Sequence, residues 1–295
     1  MMKAEKYHNH RNALRNSTLA ATLAFFAASG LRAQDPTGPL TPPPAAEHDV
    51  HRVTTTETME APPSLPPAEI IKAFAEKEQQ YVQARPKFGY KKSIKITEFG
   101  HDGQPSGEFQ LTVATVIDTD GRVYEKILEQ PPSTLHAVQL SPEDLKIISR
   151  IPAYALVPSM LAKYDLRYMG TEKVDEIDCY IFDAKPKLLE RANGLFQGAV
   201  WVDKKYLEVV KTYGKWVTDL GDQHAPELPF VNFETYRENV EGKYWFPNYS
   251  RSDGYLHFKD SGDIPMRLVI KWTDFKPLPA SAPPPPTPEA AKPKP

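Results

Sequence analysis

From residue 88 to residue 274, apolar side chains recur at every second position in a series of short runs. In Phe109-Gln110-Leu111-Thr112-Val113-Ala114-Thr115-Val116-Ile117, for instance, one side reads Phe, Leu, Val, Thr and Ile. A period of two places those side chains on one face of a pleated strand. Tight-turn clusters separate the runs: Asp118-Thr119-Asp120-Gly121, Val174-Asp175-Glu176, Asp203-Lys204-Lys205 and Glu241-Gly242. No helix alternates with them, which excludes a parallel βαβ architecture and predicts one antiparallel meander. The predicted strands are 90–98, 108–118, 122–128, 165–169, 179–184, 196–202, 207–213, 233–240, a pair around 249–258, and 266–274. Two helical stretches accompany them. Ile70, Ile71, Phe74, Tyr81 and Val82 fall at helical offsets within 68–84, directly after Pro66-Pro67, with Glu76, Lys77 and Glu78 assigned to the other faces. Ser141-Pro142-Glu143-Asp144 starts a second helix, which opens the apolar stretch 145–161, interrupted by Pro152 and Pro158. There is no tandem repeat at a fixed period.

Composition changes sharply on either side of this region. Most of the 30 prolines in the 295 residues lie in 34–67 and 277–295, which have few large apolar side chains. Such segments cannot bury enough surface to offset their chain entropy, so both are expected to be disordered spacers. Ahead of them, Lys3, Lys6, Arg11 and Arg15 precede the apolar run from Ser17 to Ala28, and Ala33 precedes Gln34. That is the order of a secretory signal peptide over 1–33, cleaved near Gln34, and it predicts a periplasmic or secreted protein. The run is too short to span a bilayer. The expected division is therefore a signal peptide (1–33), a spacer (34–67), one folded domain (68–276) and a tail (277–295). The full chain carries 36 Lys and Arg against 38 Asp and Glu. Cleavage would remove five of the basic residues but only Glu5 of the acids, leaving an acidic chain. A phosphate-binding groove needs a concentrated positive field, so nucleic acid is not an expected partner.

Catalytic patterns are missing. The sequence holds no G-x-G-x-x-G, P-loop, H-E-x-x-H or G-x-S-x-G. A single cysteine, Cys179, excludes an intramolecular disulfide and any multi-thiolate metal site, and its apolar strand context marks it as a core residue. Glu47-His48-Asp49-Val50-His51 has metal-ligand residue types but lies in the Pro-rich spacer. Asp118-x-Asp120-Gly121 lacks the remaining ligands of a calcium loop and reads as a hairpin turn. His101, His136, His224 and His257 have no spaced partner. These gaps predict a non-catalytic binding protein without metal or cofactor.

The strands carry apolar residues on both sides, as Tyr124, Leu128, Trp201 and Val210 illustrate. Two architectures fit: a sheet covered by the two helices on one face, or a curved sheet enclosing an apolar cavity plugged by 145–161. A cadence bears on the choice. Tyr164-Asp165-Leu166-Arg167-Tyr168-Met169-Gly170, with Glu172 and Val174-Asp175, leads into Cys179-Tyr180, Phe182 and Ala184-Lys185-Pro186-Lys187. Phe196-Gln197-Gly198-Ala199-Val200-Trp201-Val202-Asp203 and Leu207-Glu208-Val209-Val210-Lys211 follow. This cadence resembles the central hairpins of the LolA-like periplasmic lipoprotein-sorting superfamily, which includes the RseB-type envelope-stress sensors. The resemblance implies an α+β fold, with a strongly curved antiparallel sheet (an incomplete β-barrel), an N-terminal helix and a helical lid over the concave face. It also implies a cavity that holds a lipid, acyl chain or lipoprotein, with Leu111, Val113, Leu156, Met160, Val200, Val202 and Val209 as its expected lining. Each buried methylene is worth about 0.8 kcal/mol, so an apolar lining alone can carry affinity for an acyl chain. The alternative is an envelope sensor or interaction domain whose partner is another envelope protein. A void of roughly 300 Å³ or more beside Val200 or Val202 is expected for a carrier, and normal core packing there for the alternative. Period two further predicts Val200 and Val202 on the inner face, with Trp201 packed outside against Tyr180 or Phe182.

Overall fold

The structure, a computed structural model, describes residues 64–150, 154–190, 194–219, 228–258 and 262–279. The expectations for the signal peptide, for most of the two Pro-rich flanks and for the Glu47–His51 tract fall outside them. Helix α1 (Pro67–Ala84) starts with a proline in its first turn and turns Ile70, Phe74, Ala75, Glu78, Tyr81 and Ala84 inward. A 3₁₀ turn (Arg85–Lys87) delivers the chain to β1 (Phe88–Phe99), which continues into β2 (Pro105–Ile117) and β3 (Val123–Glu129). The connection to β4 contains α2 (Pro142–Arg150) and a second 3₁₀ turn (Pro158–Lys163). Then come β4 (Tyr164–Val174), β5 (Ile177–Pro186), β6 (Leu195–Asp203), β7 (Val209–Val217), β8 (Asn232–Val240), β9 (Tyr244–Phe258) and β10 (Gly262–Pro277). The predicted pair around 249–258 is one long strand, β9, because its ladder to β10 runs unbroken through Asp253-Gly254.

The ten strands form one antiparallel sheet in the order β3-β2-β1-β10-β9-β8-β7-β6-β5-β4. It is an open half-barrel, since the edge strands β3 and β4 do not pair with each other. The single meander expected from sequence is therefore two: β10 returns to lie beside β1, joining β1–β3 to β4–β10. The connection from β3 to β4 must run from one edge of the sheet to the other. It does so across the inner face, placing Ile148 of α2 among Ile94, Phe109, Leu111 and Leu268, and Leu156 among Val200, Val202 and Phe182. The stretch 145–161 is not a continuous helix: 154–157 are not helical, and Pro158, which lacks an amide donor, opens the second 3₁₀ turn. The start of α2 is set by a reciprocal cap, in which the Ser141 amide donates to Asp144 Oδ2 (2.8 Å) and the Asp144 amide donates to Ser141 Oγ (3.2 Å).

Candidate functional site

The register aligns one inward-facing row across nine strands: Tyr168, Phe182, Val200, Thr212, Thr235, Ser250, Ile270, Ile94 and Leu111. The row is apolar at both ends and hydroxylic in the middle. Its composition divides the inner face into two apolar clusters. The first holds Leu156, Val200, Val202 and Val209 with Ile70, Phe74 and Phe182, and Met160 packs on its margin. The second holds Leu111 and Val113 with Ile94, Ile270, Trp272 and Ile148. The seven residues expected to line one cavity are thus split five and two between separate clusters. Val200 and Val202 are fully buried, with α1 packed into the same cluster.

At the hydroxylic centre, Thr235 and Ser250 are hydrogen-bonded to each other through their hydroxyls at 2.9 Å. Beside them, Gly198 and Gly214 face each other on β6 and β7. A Cβ on Gly214 would sit 2.6 Å from the ring of Phe196 and 2.3 Å from the Gln197 carbonyl oxygen, so only hydrogen fits there. Phe196 in turn stacks on Tyr154 of the connection, with centroids 4.1 Å apart. Two small voids lie on this face. One, of about 10 Å³, is bounded by Tyr154, Phe196, Thr212, Thr235 and Arg237. The other, of about 20 Å³, is bounded by Tyr81, Phe88, Phe246, Trp272 and Phe275. Each is on the scale of one water molecule, and neither touches Val200 or Val202.

A buried ion pair ties the covering elements to the sheet. The Arg237 guanidinium of β8 donates from both terminal nitrogens to the Glu78 carboxylate of α1, one bond measuring 3.0 Å, and also to the Tyr154 carbonyl at 3.1 Å. Its Cζ lies 4.8 Å from the centroid of the Tyr81 ring. Side-chain exposure is 3% for Arg237 and 1% for Glu78, so both charges are out of water. Glu78 lies on the buried face of α1 and not on the polar face expected from sequence. It lies four residues after Phe74 and three before Tyr81, in the middle of the apolar stripe. A charge in that position requires a buried partner. Arg237 carried no such signal, because a bulge between Tyr236 and Arg237 resets the alternation of β8.

Trp201 does face outward, but its neighbours differ from those expected. It pairs with Ile181 and packs with Cys179, Val210 and Tyr236, because Tyr180 and Phe182 share the inner face with Val200. Its indole N–H donates to Glu172 Oε2 at 3.0 Å. Beside it, Lys211 and Glu234 form a buried pair at 2.6 Å, with the ammonium 4.7 Å from the Trp201 ring and 4.9 Å from that of Tyr236. Burial pushes the Cys179 thiol up to about 12, which suits a core residue and not a nucleophile. Among the described residues, no three His, Cys, Asp or Glu side chains are grouped to hold a metal ion. The Asp118 turn is held locally, its carboxylate accepting the amides of Asp120 (2.9 Å) and Arg122 (2.8 Å).

No family model and no curated protein matches the chain. Among solved structures it is similar to an outer membrane lipoprotein-sorting protein domain from Vibrio parahaemolyticus, at 14% identity and TM-score 0.33, over 70% of this chain and 94% of that one. It is also similar to MucB, at 10% identity and TM-score 0.27, over 73% of this chain and 94% of that one. MucB in complex with MucA(peri) is similar at 13% identity and TM-score 0.22, over 73% of this chain and 100% of that one.

Proposed function

We propose that this chain is an exported, non-catalytic binding module of the cell envelope that acts through contacts with another envelope protein. The observation that carries the proposal is the packing beside Val200 and Val202. Both side chains are fully buried under α1 and the β3–β4 connection, and neither of the two voids described above, of about 10 and 20 Å³, reaches them. A pocket for a small ligand needs some 300–1,000 Å³. A filled concavity leaves the outside of the half-barrel as the surface for recognition.

A second function, lipid or acyl-chain carriage, draws support from one feature. The apolar clusters are sealed by α1 and the connection rather than by the sheet itself. A carrier would have to lift those elements and break the Glu78–Arg237 pair to expose Leu111, Val113, Leu156, Met160, Val200, Val202 and Val209. Titration with a fluorescent long-chain fatty acid separates the two functions. The interaction module leaves the probe's emission unchanged at micromolar protein. Saturable uptake, abolished by Met160→Asp in a variant that still folds, would establish carriage instead.

A further inference from the structure

The outer face of β5–β9 is buried although no described helix contributes to its apolar cluster. Cys179, Trp201, Tyr213, Tyr236 and Tyr249 are between 0% and 7% exposed. Their cluster is built from strand residues alone, whereas the clusters of the inner face take in α1 and the β3–β4 connection. Side chains on the outside of a curved sheet splay apart, so rings standing there without a covering layer stay in water. Burial this complete calls for a further layer over them.

The register shows what that layer must suit. Two neighbouring outward rows carry the rings: Trp201, Lys211, Tyr236, Tyr249 and Lys271 in one, and Ala199, Tyr213, Glu234, Arg251 and Val269 in the other. Three cations face a single carboxylate in these rows, and Lys211 and Lys271 lie over the rings of Trp201 and Tyr249. The platform is aromatic and cationic. Proline rings pack on aromatic faces, and a polyproline main chain needs no ladder partner, so an acidic, proline-rich strip fits it. Residues 40–63 have that chemistry, with five prolines and the acids Glu47, Asp49, Glu57 and Glu60 against Arg52. The tail does not, since Lys292 and Lys294 outnumber Glu289 over 280–295. A second copy is a poor occupant, because these exposures are those of a single chain. Position agrees: the Ser64 hydroxyl is hydrogen-bonded to that of Tyr180 on β5 at 2.9 Å. At about 3.1 Å per residue the segment spans about 70 Å, and strands lie about 4.8 Å apart, so it can round the β4 edge and reach β9. We propose that residues 40–63 cover the outer face of β6–β9, prolines on Trp201, Tyr236 and Tyr249, carboxylates toward Lys211, Arg251 and Lys271. The inference stands apart from the protein-contact function.

Arg52 supplies the test, as the one trypsin site between Gln34 and Lys72. In the folded chain trypsin should cut after Arg52 at least about tenfold more slowly than in a synthetic peptide of residues 44–60, because cleavage follows the population of the undocked form. Replacing the four acids by amides (Glu47→Gln, Asp49→Asn, Glu57→Gln and Glu60→Gln) touches no residue of the sheet. It should bring cleavage within about threefold of the rate in the matching amide peptide. Benzoylphenylalanine in place of Val53 then maps the contact: on irradiation it should join, within one chain, to peptides holding Trp201, Tyr236 or Tyr249. Cleavage at the free-peptide rate, or protection that survives the amide changes, would overturn the inference. So would the absence of a crosslink, or crosslinks confined to the inner face, the tail or a second chain.

Discussion

Removing one partner of the Glu78–Arg237 pair should cost far more than removing both. In Arg237→Met the Glu78 carboxylate stays at 1% exposure with no cation, while in Glu78→Leu the Arg237 guanidinium is stranded at 3%. Breaking a buried pair this way costs about 3–5 kcal/mol. For a domain of roughly 200 residues, about 2–4 °C is lost per kcal/mol, so Tm should fall by roughly 6–20 °C in either single variant. The double variant replaces the pair with apolar groups and leaves mainly the Tyr154 carbonyl short of a donor. Its expected cost is about 1–2 kcal/mol. A double-mutant cycle in urea should then return a coupling energy of at least about 3 kcal/mol. Single losses below about 1 kcal/mol, or strictly additive ones, would refute a desolvated clamp joining α1, β8 and the connection.

Four further outcomes follow from the packing. Leu156→Asp buries a charge at a site of zero exposure and should unfold the domain at room temperature by circular dichroism, whereas partly buried Met160→Asp should only lower Tm. Gly214→Ala should destabilise by about 2 kcal/mol or more in denaturant titration, since its Cβ meets the Gln197 oxygen at 2.3 Å. Burial raises the Glu98 carboxyl, but the amides of Ala137 and His136, each bonded to it at 2.9 Å, outweigh that and hold its pKa below the ordinary value. Its contribution is therefore present above the unfolded-state pKa of about 4.3 and lost as pH falls through the folded-state value, and Glu98→Gln should flatten that acid limb of a stability-versus-pH series. Native Cys179, buried with its thiol pushed up to about 12, should react with a thiol reagent at pH 8 only at the rate of unfolding. Fast labelling of folded protein would contradict its placement.

The strands and the antiparallel class were legible because alternation is a local signal, set by the pleat and punctuated by turns such as Asp118–Gly121. The inward orientation of Val200 and Val202 and the outward one of Trp201 followed from the same parity. Connectivity was not legible in this way: nothing in β10 announces β1 as its partner, since ladder bonds are made by main chain common to every strand. The neighbours of Trp201 were misassigned because parity fixes a face, whereas contact depends on register with the next strand. The site was hidden for a related reason. An apolar lining and an apolar core have the same composition, and only the position of α1 tells them apart. Glu78 was the exception, a charge visible in an apolar helical stripe before its partner could be known.

The half-barrel is packed by its own helix and connection, and its proposed function is protein contact. Native mass spectrometry of the protein gently extracted from its envelope, without delipidation, tests that function most directly. The expected spectrum shows the bare polypeptide mass, alone or with a bound protein. A uniform population shifted by the mass of one lipid or acyl chain, released on denaturation, would contradict it.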